Sequence, residues 1–572
     1  MDLRAVASVK TVEDFCDCLT HAGDAAFEHK PALSQRVRAA WQTVPYGQLD
    51  ARTRTLAAQL RGAGIGDGDR IALLGESSAD WAVAFLGVLR AGGVAVPLDP
   101  KLGADELAPI VADAAPALVL ADAGLVAVAD ALERETSSVG EVLLLGRGVR
   151  DDSHRSAADL SHEPSGAPRE DAAARSVAET AMLVYTSGTT GTPKGVMLSL
   201  AGLAHDAAEV AAAQRASADD VYVSILPVNH TYELTCGLLA PLTSGAHVAY
   251  VGSLFPDEIT AAIKHWRATR VVAVPLFLRL FKRGIERRVA EGETLRRVLF
   301  GVLSRVADVV PDLGVRHRLF GSLHRNLGGR LTRFYVGGAA LDPDVARFFE
   351  RVGVGVYQGY GLTETSPVIS TCTPWANRLG SVGKPLPGVE VRIDDRGPDG
   401  EGEIAVRGPV VMQGYHGRPE LTAEVLDDDG WFHTGDLGKV DGDGYVWVTG
   451  RSKNVIVLAN GKNVQPEEVE AALERCPLVE EACVLATAAT KGLSAGGEQV
   501  TAVVVPTEAA LDEHPDADAL ANAVTTAARE SVKHLAAFKR PVRILVRTEE
   551  FDKTPSRKIK REVVRTWVGT HA

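Results

Sequence analysis

Short apolar segments alternate with helical patterns along the first third of the chain, and this alternation constrains the fold most. Arg70–Gly75, Val94–Pro97 and Ala117–Ala121 have the length and composition of buried strands, and Asp80–Arg90 has apolar residues at helical spacing. Strands that are separated by helices pair in parallel, because the chain must cross the sheet before the next strand begins. The sequence therefore predicts an α/β fold in which helices cover parallel sheets.

The rest of the sequence divides into segments of different character. A chain of 572 residues is expected to form about three or four compact units. Residues 150–177 are polar and aperiodic, which is typical of a surface connection. Short β-rich runs alternate with glycine turns from about 388 to 450, and a smaller β/α segment follows. We predict a large domain over residues 1–450, with its β-rich part at about 388–450, and a small domain over 451–572.

Composition argues against several classes of protein. Six cysteines are scattered, and no cysteine–histidine cluster has zinc-binding spacing, so neither a disulfide framework nor a structural metal site is expected. A net charge of −13 argues against general nucleic-acid binding. The sequence has no apolar run of about 18 residues and no apolar signal core at its start. We expect a soluble cytoplasmic protein with free thiols.

A loop rich in glycine and hydroxyl side chains spans Tyr185–Gly195, between the apolar runs Ala181–Val184 and Val196–Leu198. Glycines let backbone N–H groups approach a phosphate, hydroxyls add donors, and Lys194 adds positive charge. The spacing differs from that of the G-x-x-x-x-G-K-[ST] loop. Composition alone leaves two interpretations, a polyphosphate loop and an ordinary surface turn. The candidate phosphate-binding residues are Thr186, Ser187, Gly188, Thr189, Thr190, Gly191, Thr192 and Lys194.

Further motifs follow this loop along the chain. They are Leu226–Glu233, Gly337–Leu341, Gln358–Glu364, Gly430–Gly438, Gly450–Lys453 and Lys553–Arg561. In content and order they resemble the adenylate-forming superfamily, which includes acyl-CoA synthetases, luciferases and the adenylation domains of peptide synthetases. The resemblance covers nearly the whole chain. It implies a large N-terminal domain of two α/β subdomains plus a β-rich subdomain, with a small mobile α+β C-terminal domain.

The resemblance implies roles for individual residues in binding ATP and Mg²⁺. Tyr360 is expected to pack on the adenine, Thr363 to bond a phosphate, and Glu364 to bind Mg²⁺, which prefers a carboxylate with phosphate oxygens and water. Asp436 is expected to accept the ribose hydroxyls, and Arg451 to make a second ribose or phosphate contact. The other nucleotide-binding residues implied are Gly338, Ala339, Gln358 and Gly359.

The resemblance further implies that the chain joins a carboxylic acid to AMP and then transfers the acyl group to coenzyme A. Lys558 is the expected catalytic lysine, a compact cation that bridges the attacking carboxylate and the α-phosphate. Lys453 occupies the hinge position, and Gly461 and Lys462 lie in the loop that serves the coenzyme A step. The residues expected to act with the catalytic lysine are Glu364, Thr363 and Lys194. The acyl-pocket residues implied are His230, Glu233, Gly337 and Gly361.

Two features favour a medium- to long-chain fatty acid as the substrate. His230–Glu233 resembles the H-x-x-E form that is common in long-chain enzymes, and the segment 281–329 is longer than its counterpart in small-acid relatives. That segment carries ten basic and five acidic residues, with apolar residues at helical spacing beside them. A basic amphipathic surface suits contact with an anionic membrane, and a solvated face on a core helix is the alternative.

Three alternative functions stay open. The first is an acyl-AMP ligase that loads an acyl-carrier protein, although the intact Thr192–Gly195 favours coenzyme A. The second is adenylation of a carboxylic acid that is not a fatty acid. The third is a nucleotide- or acyl-binding protein with little catalysis, because Arg557 stands before Lys558 where glycine is usual. A further departure is Leu200, where a histidine is common.

Overall fold

The structure, a computed structural model, describes residues 9–37, 40–136, 139–145, 176–187, 193–253, 255–458, 462–488, 498–553 and 559–571. The chain forms two compact units, and the second includes part of the predicted β-rich segment. The first comprises Met1–Val391 and Val406–Phe432, and the second Arg392–Ala405 and His433–Ala572. The predicted boundary at residue 450 stays a prediction, and the predicted connection 150–177 lies almost entirely outside the described residues.

One sheet of the first unit has seven strands, of which five neighbouring strands are parallel, as the sequence predicts. Strand Val94–Leu98 is buried along its whole length, which explains its unbroken apolar sequence. In spatial order the strands are Gly414–Tyr415, Pro193–Ser199, Thr180–Ser187, Val94–Leu98, Arg70–Leu74, Leu118–Ala121 and Val142–Leu144. The first three pair antiparallel, which the alternation of strands and helices did not predict.

The second sheet of this unit has nine strands, with a parallel centre and antiparallel pairs at both edges. Its core includes Phe334 and Phe349, whose rings meet edge to face with centroids 5.1 Å apart. In spatial order the strands are Lys384–Pro385, Val368–Thr371, Gly355–Gly361, Arg333–Val336, Arg270–Ala273, Val221–Ser224, His247–Tyr250, Pro31–Val37 and Ala40–Pro45.

Helices of the first unit connect the parallel strands. The helix Ala79–Arg90 confirms the helix predicted at 80–90. Ser78 precedes it as the N-cap residue, and the Ser78 hydroxyl accepts a hydrogen bond from the Trp81 N–H at 3.0 Å. The α-helices are Val12–Thr20, Tyr46–Gly62, Ala79–Arg90, Ala104–Ala114, Val126–Glu135, Leu200–Gln214, Thr231–Glu233, Ala240–Thr243, Pro256–Trp266, Pro275–Ala290, Thr294–Val309, Leu313–Leu319, Gly321–Asn326, Pro343–Arg351 and Pro419–Ala423. The 3₁₀ turns are Ala123–Leu125 and Thr363–Thr365, and one π-helical turn spans Leu234–Leu239.

The second unit contains most of a four-stranded sheet with the strands Glu390–Asp394, Gly402–Arg407, Phe432–Val440 and Val446–Arg451. A two-stranded sheet (Ile456–Val457 and Asn463–Val464) and a three-stranded sheet (Val479–Ala488, Glu498–Pro506 and Arg543–Val546) follow. The α-helices are Pro466–Leu473, Glu508–Glu513, Ala517–Ser531 and Arg561–His571, and the 3₁₀ turns are Ser452–Asn454 and Ala537–Lys539. Helices and sheets together make this unit α+β, with an apolar core of its own.

All six cysteines lie in described segments, and each is a free thiol. Within the described ranges, no group of three or more histidine, cysteine or carboxylate side chains is arranged to hold a metal ion. No helix in those ranges is both long and apolar enough to cross a membrane.

Candidate nucleotide and acyl site

The predicted phosphate loop joins the two strands of a β-hairpin. Strands Thr180–Ser187 and Pro193–Ser199 pair antiparallel, with Thr186 opposite Lys194. The described residues therefore place the hydroxyl of Thr186 and the ammonium of Lys194 at the base of the connection, one on each strand. The loop residues Gly188, Thr189, Thr190, Gly191 and Thr192 lie outside the described residues.

Lys194 and Glu364, which the sequence analysis assigned to different motifs, are linked by Tyr415. The ammonium nitrogen of Lys194 lies 5.1 Å from the centre of the Tyr415 ring, within cation–π range. The hydroxyl of Tyr415 donates a hydrogen bond to Glu364 Oε1 at 3.1 Å. Burial, and secondarily the Glu364 carboxylate, raises the pKa of Tyr415, so its hydroxyl stays a donor. Tyr415 reaches this position because its strand pairs with the hairpin, opposite Val196.

The backbone around Glu364 is fixed by hydrogen bonds. Residues Thr363–Thr365 form a 3₁₀ turn, and the Thr365 hydroxyl accepts a hydrogen bond from the Leu362 N–H at 3.0 Å. The Met412 N–H donates to the carbonyl oxygen of Glu364 at 2.8 Å. These contacts fix the backbone of Thr363 and Glu364 beside the Tyr415 hydroxyl. A carboxylate held near the lysine of a phosphate hairpin suits a Mg²⁺–polyphosphate complex, because Mg²⁺ takes carboxylate and phosphate oxygens together.

The two motifs expected at the adenine lie on neighbouring strands. Arg333–Val336 and Gly355–Gly361 are parallel, with Val336 opposite Gln358, so the first motif follows the carboxyl end of one strand beside the last residues of the other. Ligands of open α/β sheets bind outside such ends. Gly338 has φ of +84°, a conformation that side chains disfavour. The motif residues at these ends are Gly337, Gly338, Ala339, Gln358, Gly359, Tyr360 and Gly361.

Glu233 in the predicted acyl segment is a buried carboxyl group. Only 1% of the residue is exposed, and the Ser224 hydroxyl donates a hydrogen bond to Oε1 at 2.6 Å. Oε2 has no hydrogen-bond partner among the described residues. Burial raises the pKa of Glu233 from its usual 4.5 to about 8, opposed only by the Ser224 hydrogen bond. The side chain is therefore mainly neutral at physiological pH.

The π-helical turn Leu234–Leu239 follows Glu233 directly, and such turns are frequent at functional sites. Gly237 leaves room for the Glu233 carboxyl group, which a Cβ atom at this position would overlap. A Cβ atom at Gly337 would lie 2.9 Å from the Tyr232 ring, so the acyl segment and the first adenine motif are in contact. Cys236 is buried and burial raises the pKa of its thiol well above the usual value, which makes it a packing residue.

The second unit holds the predicted ribose-binding pair. Asp436 and Arg451 face each other on antiparallel strands, and Arg451 Nε lies 2.8 Å from Asp436 Oδ1. Lys453 is exposed in the 3₁₀ turn that follows. The ammonium nitrogen of Lys462 lies 4.4 Å from the centre of the Phe538 ring. Gly461, Arg557 and Lys558 lie outside the described residues.

The sequence analysis proposed most of these residues as site candidates but did not propose Tyr415. The structure brings together Lys194, Glu364 and the hairpin in one unit, and Asp436 with Arg451 in the other. Gly414-Tyr415 is too short to show the periodicity of a helix or a strand, so no sequence pattern predicted its position. The two-residue strand it forms is recognisable only from its pairing with 196–197.

Comparisons with known proteins identify the family of this chain. A family model described as AMP-binding enzyme matches residues 21–416, and one described as AMP-binding enzyme C-terminal domain matches 468–558. The long-chain-fatty-acid–CoA ligase FadD15 of Mycobacterium bovis is 29% identical over 560 residues, 92% of this chain and 90% of that protein. Feruloyl-CoA synthase of Amycolatopsis sp. is 32% identical over 482 residues, 82% of this chain and 85% of that protein.

The fold also matches solved structures. The crystal structure of ATP-bound MatB from Rhodopseudomonas palustris is 29% identical, with a TM-score of 0.74, and the match covers 97% of this chain and 98% of that one. Enzymes of this family use ATP, Mg²⁺ and coenzyme A, and the described residues around Lys194 and Glu364 fit a metal–polyphosphate complex. The chain is an adenylate-forming acid–thiol ligase and belongs to the AMP-binding enzyme family.

Proposed function

We propose that the chain activates a medium- to long-chain fatty acid as its acyl-AMP and transfers the acyl group to coenzyme A. The observation that carries the substrate class is the burial of Glu233 in the acyl segment, which raises the pKa of its carboxyl group. An apolar chain loses little hydration beside a neutral carboxyl group, whereas an ionised one would keep water in the pocket. The long-chain ligase relative, which aligns over more of the chain than the feruloyl-CoA synthase, supports the same choice.

In the first step an oxygen of the acid carboxylate attacks the α-phosphorus of ATP, and the bond to the pyrophosphate oxygen breaks. Both reactants are anions, so catalysis is mostly positioning and charge neutralisation. Lys558 bridges the carboxylate and the α-phosphate, and the hairpin with Thr186 and Lys194 holds the leaving pyrophosphate. Glu364 would hold the Mg²⁺, which when bound neutralises phosphate charge. Tyr415 positions Glu364 through its hydroxyl hydrogen bond.

Tyr360 and the 337–339 turn bind the adenine, and Asp436 accepts the ribose hydroxyls. The Arg451 guanidinium, 2.8 Å from Asp436, orients that carboxylate toward the ribose. His230 and Gly361 complete the acyl pocket.

In the second step the thiol of coenzyme A attacks the acyl carbon, and AMP leaves. The C-terminal domain rotates about Lys453 between the steps, so that Lys558 withdraws and the loop with Gly461 and Lys462 approaches. An exposed residue between two ordered elements can absorb such a backbone change at little cost in packing.

The test is ATP–pyrophosphate exchange with saturated acids of increasing chain length and with an aromatic acid such as ferulate. Exchange is expected to rise with chain length through the medium-chain range and to be weak with the aromatic acid. Product formation is then measured with coenzyme A and, separately, with a phosphopantetheinylated acyl-carrier protein. Strong exchange with the aromatic acid alone would refute the substrate class, and thioester formation on the carrier protein alone would refute coenzyme A as the acceptor.

A further inference from the structure

The helix Thr294–Val309 is apolar on two separate sides. Its inner side packs Phe300, Leu303 and Ala307 onto the core of the nine-stranded sheet. Leu303 shares the helical spacing of the apolar residues beside the surface charges, but it is partly buried against the core. One side of the helix is therefore enough to attach it to the protein.

The outer side of the same helix exposes six large apolar side chains. They are Leu295 (75% exposed), Val298 (58%), Leu299 (53%), Val302 (47%), Val306 (40%) and Val309 (81%). Their spacing of i, i+3, i+4, i+7, i+11 and i+14 puts them in one stripe, about 20 Å long at 1.5 Å per residue. Stability of the folded chain does not require this stripe, and contiguous apolar surface of this kind usually marks an interaction site.

Basic residues border the stripe. Arg296 and Arg305 are exposed on the same helix, and at 100° per residue they fall on either side of the apolar stripe, whereas the exposed Arg297 falls on the far side of the helix. The segment 281–329 carries ten basic and five acidic residues, whereas the whole chain has a net charge of −13. An exposed apolar stripe with cationic borders has the composition of an interfacial helix that lies on an anionic bilayer.

We propose that this helix docks the protein on an anionic lipid surface. The stripe enters the boundary between headgroups and acyl chains, and the arginines contact lipid phosphates. A second copy of the chain is a poorer occupant, because a two-fold interface would bring the basic borders of the two copies against each other. The proposal is independent of which acid the enzyme activates.

The experiment is co-sedimentation of the full chain with vesicles of phosphatidylcholine, alone or mixed with phosphatidylglycerol. Binding to the mixed vesicles is expected to exceed binding to pure phosphatidylcholine by at least about tenfold at low salt, and to weaken as salt rises. The double variant Val298→Gln/Val302→Gln should lose about tenfold in partition coefficient. The control Val563→Gln changes an exposed valine (40%) on a helix of the second unit and should bind as the parent does.

Charge is tested separately with Arg296→Gln/Arg305→Gln, for which binding to the mixed vesicles should fall at least about tenfold at low salt and only slightly at high salt. The exposed Arg529→Gln serves as its control. Equal binding to both vesicle types, or unchanged binding of the valine double variant, would overturn the proposal. Concentration-dependent dimerisation without lipid, lost in the valine double variant, would also overturn it, because the stripe would then be a protein interface. Thermal unfolding and exchange activity of each variant establish that the chain is intact.

Discussion

Replacing Glu233 by glutamine should change how the stability of the first unit depends on pH. Burial raises the pKa of Glu233 from 4.5 to about 8, so between these values the folded protein keeps a proton that the unfolded chain loses. The unfolded state binds fewer protons in this range, and the free energy of unfolding therefore falls as pH rises. Below 4.5 and above about 8 this contribution is constant.

The magnitude follows from the span of pH. Between about pH 5.5 and about pH 7.5, a span of two pH units, the free energy of unfolding of the parent protein falls by about 3 kcal/mol. For a unit of this size that is a change of roughly 3–4 °C in Tm. Glutamine keeps an acceptor for the Ser224 hydroxyl and carries no titratable proton, so the free energy of unfolding of the variant does not fall with pH in this way. Any pH-independent cost of the substitution cancels when the two pH values are compared.

The assay is thermal unfolding of the parent and of Glu233→Gln across this pH range, with the exposed Glu133→Gln as the matched control. The gap in Tm between Glu233→Gln and the parent should widen toward higher pH in favour of the variant, and the control should follow the parent. Parallel curves for the parent and Glu233→Gln would refute the reasoning, because Glu233 would then titrate alike in the folded and unfolded chain.

Three further predictions concern the catalytic steps. Tyr415→Phe keeps the ring beside Lys194 and removes the hydroxyl that is hydrogen-bonded to Glu364. ATP–pyrophosphate exchange should therefore fall about tenfold at limiting Mg²⁺ and recover partly at high Mg²⁺. A loss of exchange that high Mg²⁺ does not relieve would contradict this. Lys558→Ala should lose the formation of acyl-AMP while still converting supplied acyl-AMP to the thioester, and the simultaneous loss of both half-reactions would contradict the separation of roles. Lys453→Pro should retain exchange and slow thioester formation, because proline fixes φ at the hinge; an unchanged overall rate would argue against the hinge.

Most site residues proposed from the sequence lie in contiguous motifs. The hairpin around 186–194 and the turn at 363–365 are local structures, in which neighbouring residues determine the geometry. Tyr415 lies 51 residues from Glu364 and reaches it by pairing with the hairpin, a register that no local pattern encodes. The antiparallel edge strands escaped prediction for the same reason.

Other properties depend on burial, which sequence reports only indirectly. The H-x-x-E pattern identified Glu233, but its neutral state follows from being 1% exposed beside a single hydroxyl donor. The helical spacing of apolar residues at 295–306 predicted an apolar face, but it did not indicate which side of the helix packs on the core. Phe300 and Ala307 pack on the core, and the stripe of Leu295 to Val309 stays exposed.

The central claim is that a carboxylate oxygen of the acid attacks the α-phosphorus of ATP. It is tested most directly by isotope transfer from an acid labelled with oxygen-18 in both carboxylate positions. When acid, ATP, Mg²⁺ and coenzyme A react to completion, the account predicts AMP that carries one oxygen-18 atom and pyrophosphate that carries none. Oxygen-18 in inorganic phosphate, with ADP as the nucleotide product, would contradict it.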